Sequence, residues 1–170
     1  MKIGIMGTHG TGKTTMAKQM AETLRATGIR TGVLTGVARS CPWPINRAGT
    51  EDAQRWIYHT HMIRELEYSR IFEAVYCDRT VLDSLVYSRV LGFEDLVEDY
   101  LPAALRWLAT YDALFWMRPR GGWLVDDGVR DTDEEFQRRV DREFGCLIDM
   151  HNIPVTEIKD DMEWGRDDDG

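Results

Sequence analysis

The sequence lacks the features that mark membrane and secreted proteins. No apolar stretch approaches the length of a membrane span, and residues 1–6 lead straight into a glycine-rich loop, so we expect neither a signal peptide nor an anchor. The three cysteines are far apart and odd in number, which argues against a disulfide framework and against a CxxC metal or redox site. We therefore expect a cytoplasmic protein.

Runs of lysine or arginine are missing as well. The formal net charge is −8, and much of the acidic excess lies in residues 126–127, 131–135 and 160–169. Such a balance repels nucleic acid unless a local basic face overrides it, so we do not expect nucleic acid as a partner. Small phosphorylated molecules are the more natural ligands. The sequence leaves the oligomeric state open, with a homodimer as one option.

Strand-like and helix-like segments alternate along the chain. The 170 residues are 43% hydrophobic and 29% charged, as expected for one folded domain over residues 1–170. Parallel strands need long crossovers that cover the sheet, so the alternation predicts an α/β fold: a five-stranded parallel sheet with helices on both faces. The predicted strands are residues 3–6, 32–34, 72–77, 113–117 and 154–158. The predicted helices are residues 16–27, 51–70, 81–90, 96–108 and 134–150.

A glycine-rich loop follows the first strand and matches the pattern G-x-x-x-x-G-K-[ST] over residues 7–14. Glycines let successive backbone N–H groups point at a polyphosphate, and the following helix presents its positive end to the same anion. Lys13 would bridge the β- and γ-phosphates of ATP, and the Thr14 hydroxyl would ligate Mg²⁺. The pattern therefore predicts the phosphate loop of a P-loop NTPase fold. The predicted nucleotide-binding residues are Gly7, Thr8, His9, Gly10, Thr11, Gly12, Lys13, Thr14 and Thr15.

A second candidate site is the pair Asp78-Arg79, directly after the strand at 72–77. Ligands of open parallel sheets lie beyond the carboxyl ends of the strands, so this pair shares a crevice with the phosphate loop. Asp78 would act as a general base toward an acceptor hydroxyl or as an outer-shell Mg²⁺ ligand, and Arg79 would hold a phosphate or clamp the carboxylate. The alternative is a strand-ending pair that faces water. Asp83 is expected at a helix start.

Two segments resemble known families. Residues 77–87 look like the D-R-x-x-x-D-x-x-x-Y signature of small P-loop kinases, and the Asp-Arg pair is similar to that of thymidylate kinases and, with Glu for Asp, of deoxynucleoside kinases. Residues 123–130, with the helix after them and residues 153–155, resemble the lid and final strand of ribosylnicotinamide kinase domains. The resemblance implies that Asp78 addresses a sugar or its hydroxyl and that Arg79 addresses phosphate.

The lid is predicted at about residues 118–131. Phosphoryl transfer must exclude water, and a mobile segment that carries arginine can close the site and offset transition-state charge. Arg130 is the favoured catalytic arginine, Arg118 is the second candidate and would contact the nucleotide, and Arg120 is as easily a solvated charge. The acidic tail at 160–170 is expected to be partly frayed.

The acceptor pocket should come from residues 38–46 and the helix that carries Gln54. Trp43 could stack on a ring, Asn46 or Gln54 could hydrogen-bond its edge, and Arg39 could take a phosphate or hydroxyl. Plain packing is an equal alternative for Trp43.

Other side chains receive structural interpretations. Glu65 and Glu67 are expected to be surface charges on one long helix. His59 and His61 should diverge, so they cannot share a metal. Three tryptophans are expected in the core: Trp56, Trp107 and Trp116.

These observations favour a transferase that moves the γ-phosphate of ATP, with Mg²⁺, to a small nucleoside or nucleotide, foremost a deoxynucleoside monophosphate. Ribosylnicotinamide is the rival acceptor. Two other classes remain as alternatives: a nucleotide-hydrolysing switch protein, for which no water-positioning signature is found, and a kinase of nucleic-acid ends or modified bases, which the acidic charge disfavours.

Overall fold

The computed structural model describes residues 1–119 and 133–158, in which strands and helices alternate as a three-layer α/β structure. The strands are β1 (Lys2–Met6), β2 (Thr31–Leu34), β3 (Ala74–Asp78), β4 (Ala113–Met117) and β5 (Thr156–Ile158). The helices are α1 (Lys13–Arg25), α2 (Glu51–Ile71), α3 (Val81–Val90), α4 (Glu94–Leu108) and α5 (Glu134–Met150), and two short 3₁₀ turns, Ala38–Ser40 and Asn46–Ala48, lie between β2 and α2.

The five strands form one parallel sheet in the order β2-β3-β1-β4-β5. Ile5 of β1 is in register with Asp78 of β3, and Met6 with Trp116 of β4. The loop after β1 and the pair after β3 therefore leave neighbouring strands at the same edge of the sheet. The predicted five-stranded parallel sheet with helices on both faces is confirmed.

Each face of the sheet is covered by helices because successive strand residues point to opposite sides. Ile3 and Ile5 of β1 pack with Met16 and Ala17 of α1 on one face. Met6 points to the other face and packs in a larger cluster built chiefly from α3, α4 and α5. Helix α2 covers the β2–β3 part of that same side through Ile57. These two hydrophobic layers fix α1 and α3 at the edge where the candidate site lies.

The helix starts are set by local capping. The Thr50 side chain accepts a hydrogen bond from the backbone N–H of Ala53 at the start of α2. At α3 the Thr80 and Asp83 side chains form a reciprocal capping box. Asp83 is thus the helix-start residue that the sequence predicts. Asp133 caps α5 by accepting from two backbone N–H groups.

Some element bounds differ from the predicted ones. Strand β3 begins at Ala74 rather than Phe72, because the Phe72 N–H still bonds the Tyr68 carbonyl at the end of α2. Strand β5 begins at Thr156 rather than Pro154, whose nitrogen has no hydrogen to donate to a ladder. Helix α4 begins at Glu94, one half-turn before the predicted Leu96.

One expectation about surface charge is wrong. Glu65 is 1% exposed and accepts hydrogen bonds from Lys2 Nζ at 2.9 Å, Trp107 Nε1 at 2.8 Å and the Tyr111 hydroxyl. His61 Nδ1 lies 3.0 Å from the same carboxylate. A buried carboxylate is tolerated because these partners replace its water.

The expectations for Glu67 and for the two histidines of α2 agree with the structure, and those for the three tryptophans agree in part. Glu67 is half exposed and pairs with Arg64 on the same helix, as expected of a surface charge. His59 and His61 do diverge, since His59 contacts the hydroxyl of Tyr100. Trp116 is buried, whereas Trp56 and Trp107 are partly buried and pack against the core clusters.

The predicted lid and acidic tail lie outside the described residues, apart from residues 118–119 at the start of the lid. Within the described ranges, no helix is long and apolar enough to cross a membrane.

Candidate active site

The phosphate loop runs from Gly7 to Gly12 between β1 and α1. Gly7 has φ 139° and Gly12, the N-cap of α1, has φ 82°, both in the region that disfavours residues with a Cβ. A Cβ at Gly7 would also collide with the backbone carbonyl oxygen of Met117 in β4. Glycine at these positions lets the chain turn sharply and enter α1 with the helix's positive end facing the loop.

Lys13 lies inside this loop rather than in solvent. Its side chain is 5% exposed, and its ammonium donates to the Thr8 carbonyl and to Thr11 Oγ1 at 3.1 Å. Thr11 Oγ1 in turn donates to the Thr8 carbonyl at 3.1 Å. A buried ammonium surrounded by loop carbonyl and hydroxyl oxygens suits an incoming phosphate, which offers the stronger charged acceptor.

Thr14 and Asp78 join the start of α1 to the end of β3. The Thr14 hydroxyl donates to Asp78 Oδ2 at 2.5 Å. A hydroxyl and a carboxylate oxygen held together beside the phosphate loop are the hard oxygen ligands that Mg²⁺ takes. These two residues therefore fit the metal that the fold implies: Thr14 would be a direct ligand, and Asp78 would be a direct or outer-shell ligand.

Arg79 follows Asp78 in an unusual backbone conformation. Its φ is 89°, while its N–H bonds the Ile5 carbonyl at 2.9 Å, so the sheet holds the residue in place. Its guanidinium lies 3.2 Å from Asp83 Oδ1 and 5.4 Å from the Tyr87 ring centre. Burial opposes the positive charge, but Tyr87 and the carboxylates of Asp83 and Asp78 raise the pKa of Arg79 above its usual value. The guanidinium stays charged.

One cleft collects most of the predicted residues. Its lining includes the loop from His9 to Thr15, Arg39, Asn46, Asp78 and Arg79. A smaller pocket adjoins it and shares Ala38, Ile45, Asn46 and Arg79 with it. Gln54, which is 3% exposed, lines this second pocket. The predicted acceptor residues Arg39, Asn46 and Gln54 are therefore placed around two connected cavities.

Two predicted residues lie elsewhere. Trp43 is 43% exposed and lines neither cavity. The Arg118 guanidinium bonds Asp141 of α5 at 2.8 Å and Glu157 of β5 at 2.5 Å, and it lies 4.2 Å from the Trp116 ring centre. These contacts give Arg118 a structural role between α5 and β5. Arg120 and Arg130 lie outside the described residues.

The structure adds residues that the sequence did not assign to the site. Asp83, Ser84 and Tyr87 of α3 line the second pocket. For two of them spacing was the available signal, since Asp83 and Tyr87 are four residues apart and share one side of α3. His9 was already predicted as a nucleotide-binding residue, but its burial was not: it is 3% exposed and contacts Tyr87.

The parallel sheet and the glycine-rich phosphate loop define an α/β protein with the P-loop fold. The chain belongs to the AAA domain family, whose sequence profile matches residues 2–164. No protein of curated function matches it by sequence.

Solved structures with the same fold include a deoxyadenosine kinase, a thymidylate kinase and a NadR protein. A deoxyadenosine kinase from M. mycoides with bound dATP superposes with a TM-score of 0.65 at 14% identity, over 96% of this chain and 93% of that one. A thymidylate kinase from Ehrlichia chaffeensis gives 0.63 at 17% identity, over 98% and 90%. A NadR protein in complex with NR gives 0.74 at 16% identity, over 96% of this chain and 47% of that one. At these identities the likeness shows the fold alone.

Proposed function

We propose that the protein is an ATP- and Mg²⁺-dependent kinase that transfers the γ-phosphate to a small nucleoside or nucleotide, foremost a deoxynucleoside monophosphate. The observation that carries the proposal is the second pocket, which opens off the phosphate-loop cleft and shares Arg79 and Asn46 with it. A protein that only hydrolyses a nucleotide needs a place for water, whereas a kinase needs a shaped cavity for an acceptor beside the γ-phosphate.

The donor half of the site consists of the loop and the first turn of α1. Backbone N–H groups of residues 7–13 would cradle the phosphates, and Lys13 would move from the Thr8 carbonyl to the phosphate oxygens. When bound on Thr14 and Asp78, Mg²⁺ supplies positive charge that neutralises the phosphate oxygens. The hydrogen bond from Thr14 to Asp78 favours the metal-side role for Asp78 over the role of general base.

The acceptor half combines polar and apolar walls. The buried amide of Gln54 and the side chain of Asn46 can hydrogen-bond the edge of a ring, while Ile45, Ile57 and the Tyr87 ring provide flat apolar contact. Two guanidiniums, those of Arg39 and Arg79, line the adjoining cleft.

The arginines are the reason to favour a phosphorylated acceptor. A monophosphate brings a doubly negative group that one arginine can hold while the other stabilises the transferring phosphoryl group. Arg130 of the lid is proposed to add a further positive charge on closure. A cytoplasmic location is part of the same proposal, because ATP and nucleotide acceptors are found there.

Ribosylnicotinamide remains the second candidate acceptor. The observation in its favour is the superposition on the NadR protein in complex with NR, with a TM-score of 0.74. Ribosylnicotinamide carries a positively charged ring and no phosphate, so it offers Arg39 and Arg79 no anionic group to bind.

An acceptor panel tests the proposal. The protein is incubated with ATP and Mg²⁺ plus deoxyadenosine, deoxycytidine, thymidine 5′-monophosphate, deoxycytidine 5′-monophosphate, nicotinamide riboside or a short oligonucleotide, and ADP release is measured. Acceptor-dependent ADP with a nucleoside or monophosphate supports the kinase. Release that no acceptor changes would identify a hydrolase, and turnover with oligonucleotides alone would refute the small-molecule acceptor.

Lys13→Ala should lower turnover at least about a hundredfold, because the ammonium that contacts the transferring phosphate is lost. Lys18→Ala is the matched control, since Lys18 lies exposed on the same helix. Equal turnover in the two variants would contradict the role of Lys13.

A further inference from the structure

The phosphate loop is held by side chains from outside as well as by its own backbone. The His9 ring is 3% exposed, although the residue occupies a variable position of the loop. Its Nδ1 lies 3.1 Å from the Tyr87 hydroxyl of α3 and 3.3 Å from Thr8 Oγ1. A loop side chain that serves only as a spacer has no reason to be buried in such contacts.

Tyr87 faces the acceptor side at the same time. It is 6% exposed, its ring lines the second pocket, and the Arg79 guanidinium lies over that ring at 5.4 Å. One side chain therefore contacts the phosphate loop through its hydroxyl and the acceptor-side arginine through its ring.

The start of α5 completes the packing around His9. The Phe136 ring stacks on the His9 ring with centres 6.1 Å apart and planes 24° apart, and it meets the Tyr87 ring edge-on at 6.0 Å. Gln137 Nε2 donates to the His9 carbonyl at 2.8 Å. The loop is thus fixed to α3 and to the helix that follows the predicted lid.

We propose that His9 and Tyr87 are positioning residues that fix the phosphate loop relative to Arg79 and the acceptor pocket. The inference rests on the proposed kinase function. In-line transfer needs the γ-phosphate and the acceptor oxygen about 3–3.5 Å apart, and small misplacements are costly in rate. The donor and acceptor halves belong to different elements, and the hydrogen bond between Tyr87 and His9 joins them directly.

Three variants separate this role from general packing. Tyr87→Phe removes the hydroxyl, which also acts on the Arg79 guanidinium, and keeps the ring that packs against Arg79 and Phe136; the His9 variants leave Tyr87 and Arg79 unchanged. His9→Leu removes the polar atom, whereas His9→Asn keeps a polar atom near the position of Nδ1. The matched control is Ser88→Ala, because Ser88 is fully buried on the same helix and its hydroxyl donates to the Ser84 carbonyl one turn earlier, away from His9.

Kinetics with ATP, Mg²⁺ and the panel acceptor that gives the highest wild-type turnover provide the first readout. We expect Tyr87→Phe and His9→Leu to lower kcat about tenfold while KM for ATP changes less than about threefold, since Lys13 and the loop amides still bind the phosphates. His9→Asn should recover most of the rate, and Ser88→Ala should keep it. The double variant Tyr87→Phe/His9→Leu should lose no more than either single one.

Hydrogen exchange of a peptide that covers residues 8–12, without nucleotide, provides a second readout that needs no acceptor. The loop amides should exchange at least about threefold faster in Tyr87→Phe than in wild type or Ser88→Ala, because the loop opens more often.

The outcomes distinguish the two proposals. If no acceptor raises wild-type ADP release, the kinase function fails, and loop exchange alone decides whether the pair holds the loop. Two kinetic results would overturn the positioning role in a wild-type protein that is an acceptor-dependent kinase. In the first, Tyr87→Phe keeps its kcat within twofold of wild type. In the second, the loss of kcat in the double variant equals the product of the losses in Tyr87→Phe and His9→Leu. Unchanged loop exchange in Tyr87→Phe also overturns it.

Discussion

Glu65 and Glu67 lie two positions apart on α2, yet the structure gives them opposite environments. The Glu65 carboxylate is buried among Lys2, His61, Trp107 and Tyr111 at the sheet edge opposite the candidate site. Glu67 is 50% exposed and pairs with Arg64 on the surface. Glu65→Gln and Glu67→Gln are therefore chemically identical changes that test one claim, namely that buried ionic contacts hold α2 to β1 and α4.

The expected magnitudes follow from burial. Removing one member of a buried ion pair costs about 3–5 kcal/mol, and Gln preserves some hydrogen bonding, so we take about 3 kcal/mol for Glu65→Gln. For a domain of this size that lowers Tm by roughly 6–12 °C. The Glu67–Arg64 pair is exposed, so Glu67→Gln should cost below about 0.5 kcal/mol and shift Tm by at most about 2 °C.

Thermal and urea unfolding, followed by circular dichroism, measure the difference. Burial alone would raise the pKa of Glu65, but His61, Lys2 and Tyr111 outweigh it and lower that pKa below the ordinary value. The stability that ionised Glu65 contributes is complete above its unfolded-state pKa of about 4.3 and is lost as pH falls through the lower folded-state pKa. The difference in unfolding free energy between wild type and Glu65→Gln should therefore become smaller below about pH 4.3. Equal Tm values for the two variants at pH 7 would refute the reasoning.

Two more predictions concern the phosphate loop and the carboxylate beside it. Gly7→Ala should weaken AMP-PNP·Mg²⁺ binding at least about tenfold in calorimetry, because φ 139° disfavours a residue with a Cβ and that Cβ would collide with the Met117 carbonyl. Gly28→Ala is the control: its φ is 88° and no atom lies within 4 Å of the added Cβ, so it should lower stability alone, and equal affinities of the two variants would contradict the prediction. Asp78→Asn should lower turnover at least about a hundredfold and raise the Mg²⁺ concentration that gives half-maximal rate, since one carboxylate near the metal is lost. If turnover falls but its dependence on Mg²⁺ is unchanged, Asp78 acts as a general base and not as a metal ligand.

The sheet and the donor half of the site could be predicted from the sequence because both are encoded locally. Ile3, Ile5 and Met6 form an apolar run that ends in glycine, and the spacing of Gly7, Gly12 and Lys13 follows from the way a backbone wraps phosphate. The positions of Asp78 and Arg79 followed from one topological rule about parallel strands.

The proposed acceptor half was harder to predict because it is assembled from distant segments. Gln54 and Tyr87 line the same pocket from different helices, and nothing in either segment gives their distance. A stacking role was predicted for Trp43 because of its aromatic ring, but the residue is 43% exposed and lines neither cavity. The Arg118 guanidinium is bound by Asp141 and Glu157 because β4, β5 and α5 converge there, which a lid interpretation of its segment did not include.

Helix α2 shows why polarity misled the assignment of burial. Gln54, Tyr58, His61 and Glu65 recur at spacings of four, three and four, so they lie along one stripe, and all four are at most 3% exposed. A stripe of this composition is not recognised as buried from the sequence, because a hydropathy value describes the side chain alone and not the contacts that it makes in the fold. The buried Glu65 carboxylate is stable in the interior because other elements supply contacts, Lys2 by pairing with it and Trp107 by donating to it, while Ser84 donates to the backbone carbonyl of Gln54. The same stripe therefore runs from the second pocket at Gln54 to the opposite edge of the sheet at Glu65, and the contacts at Glu65 help to orient the helix that presents Gln54 to that pocket.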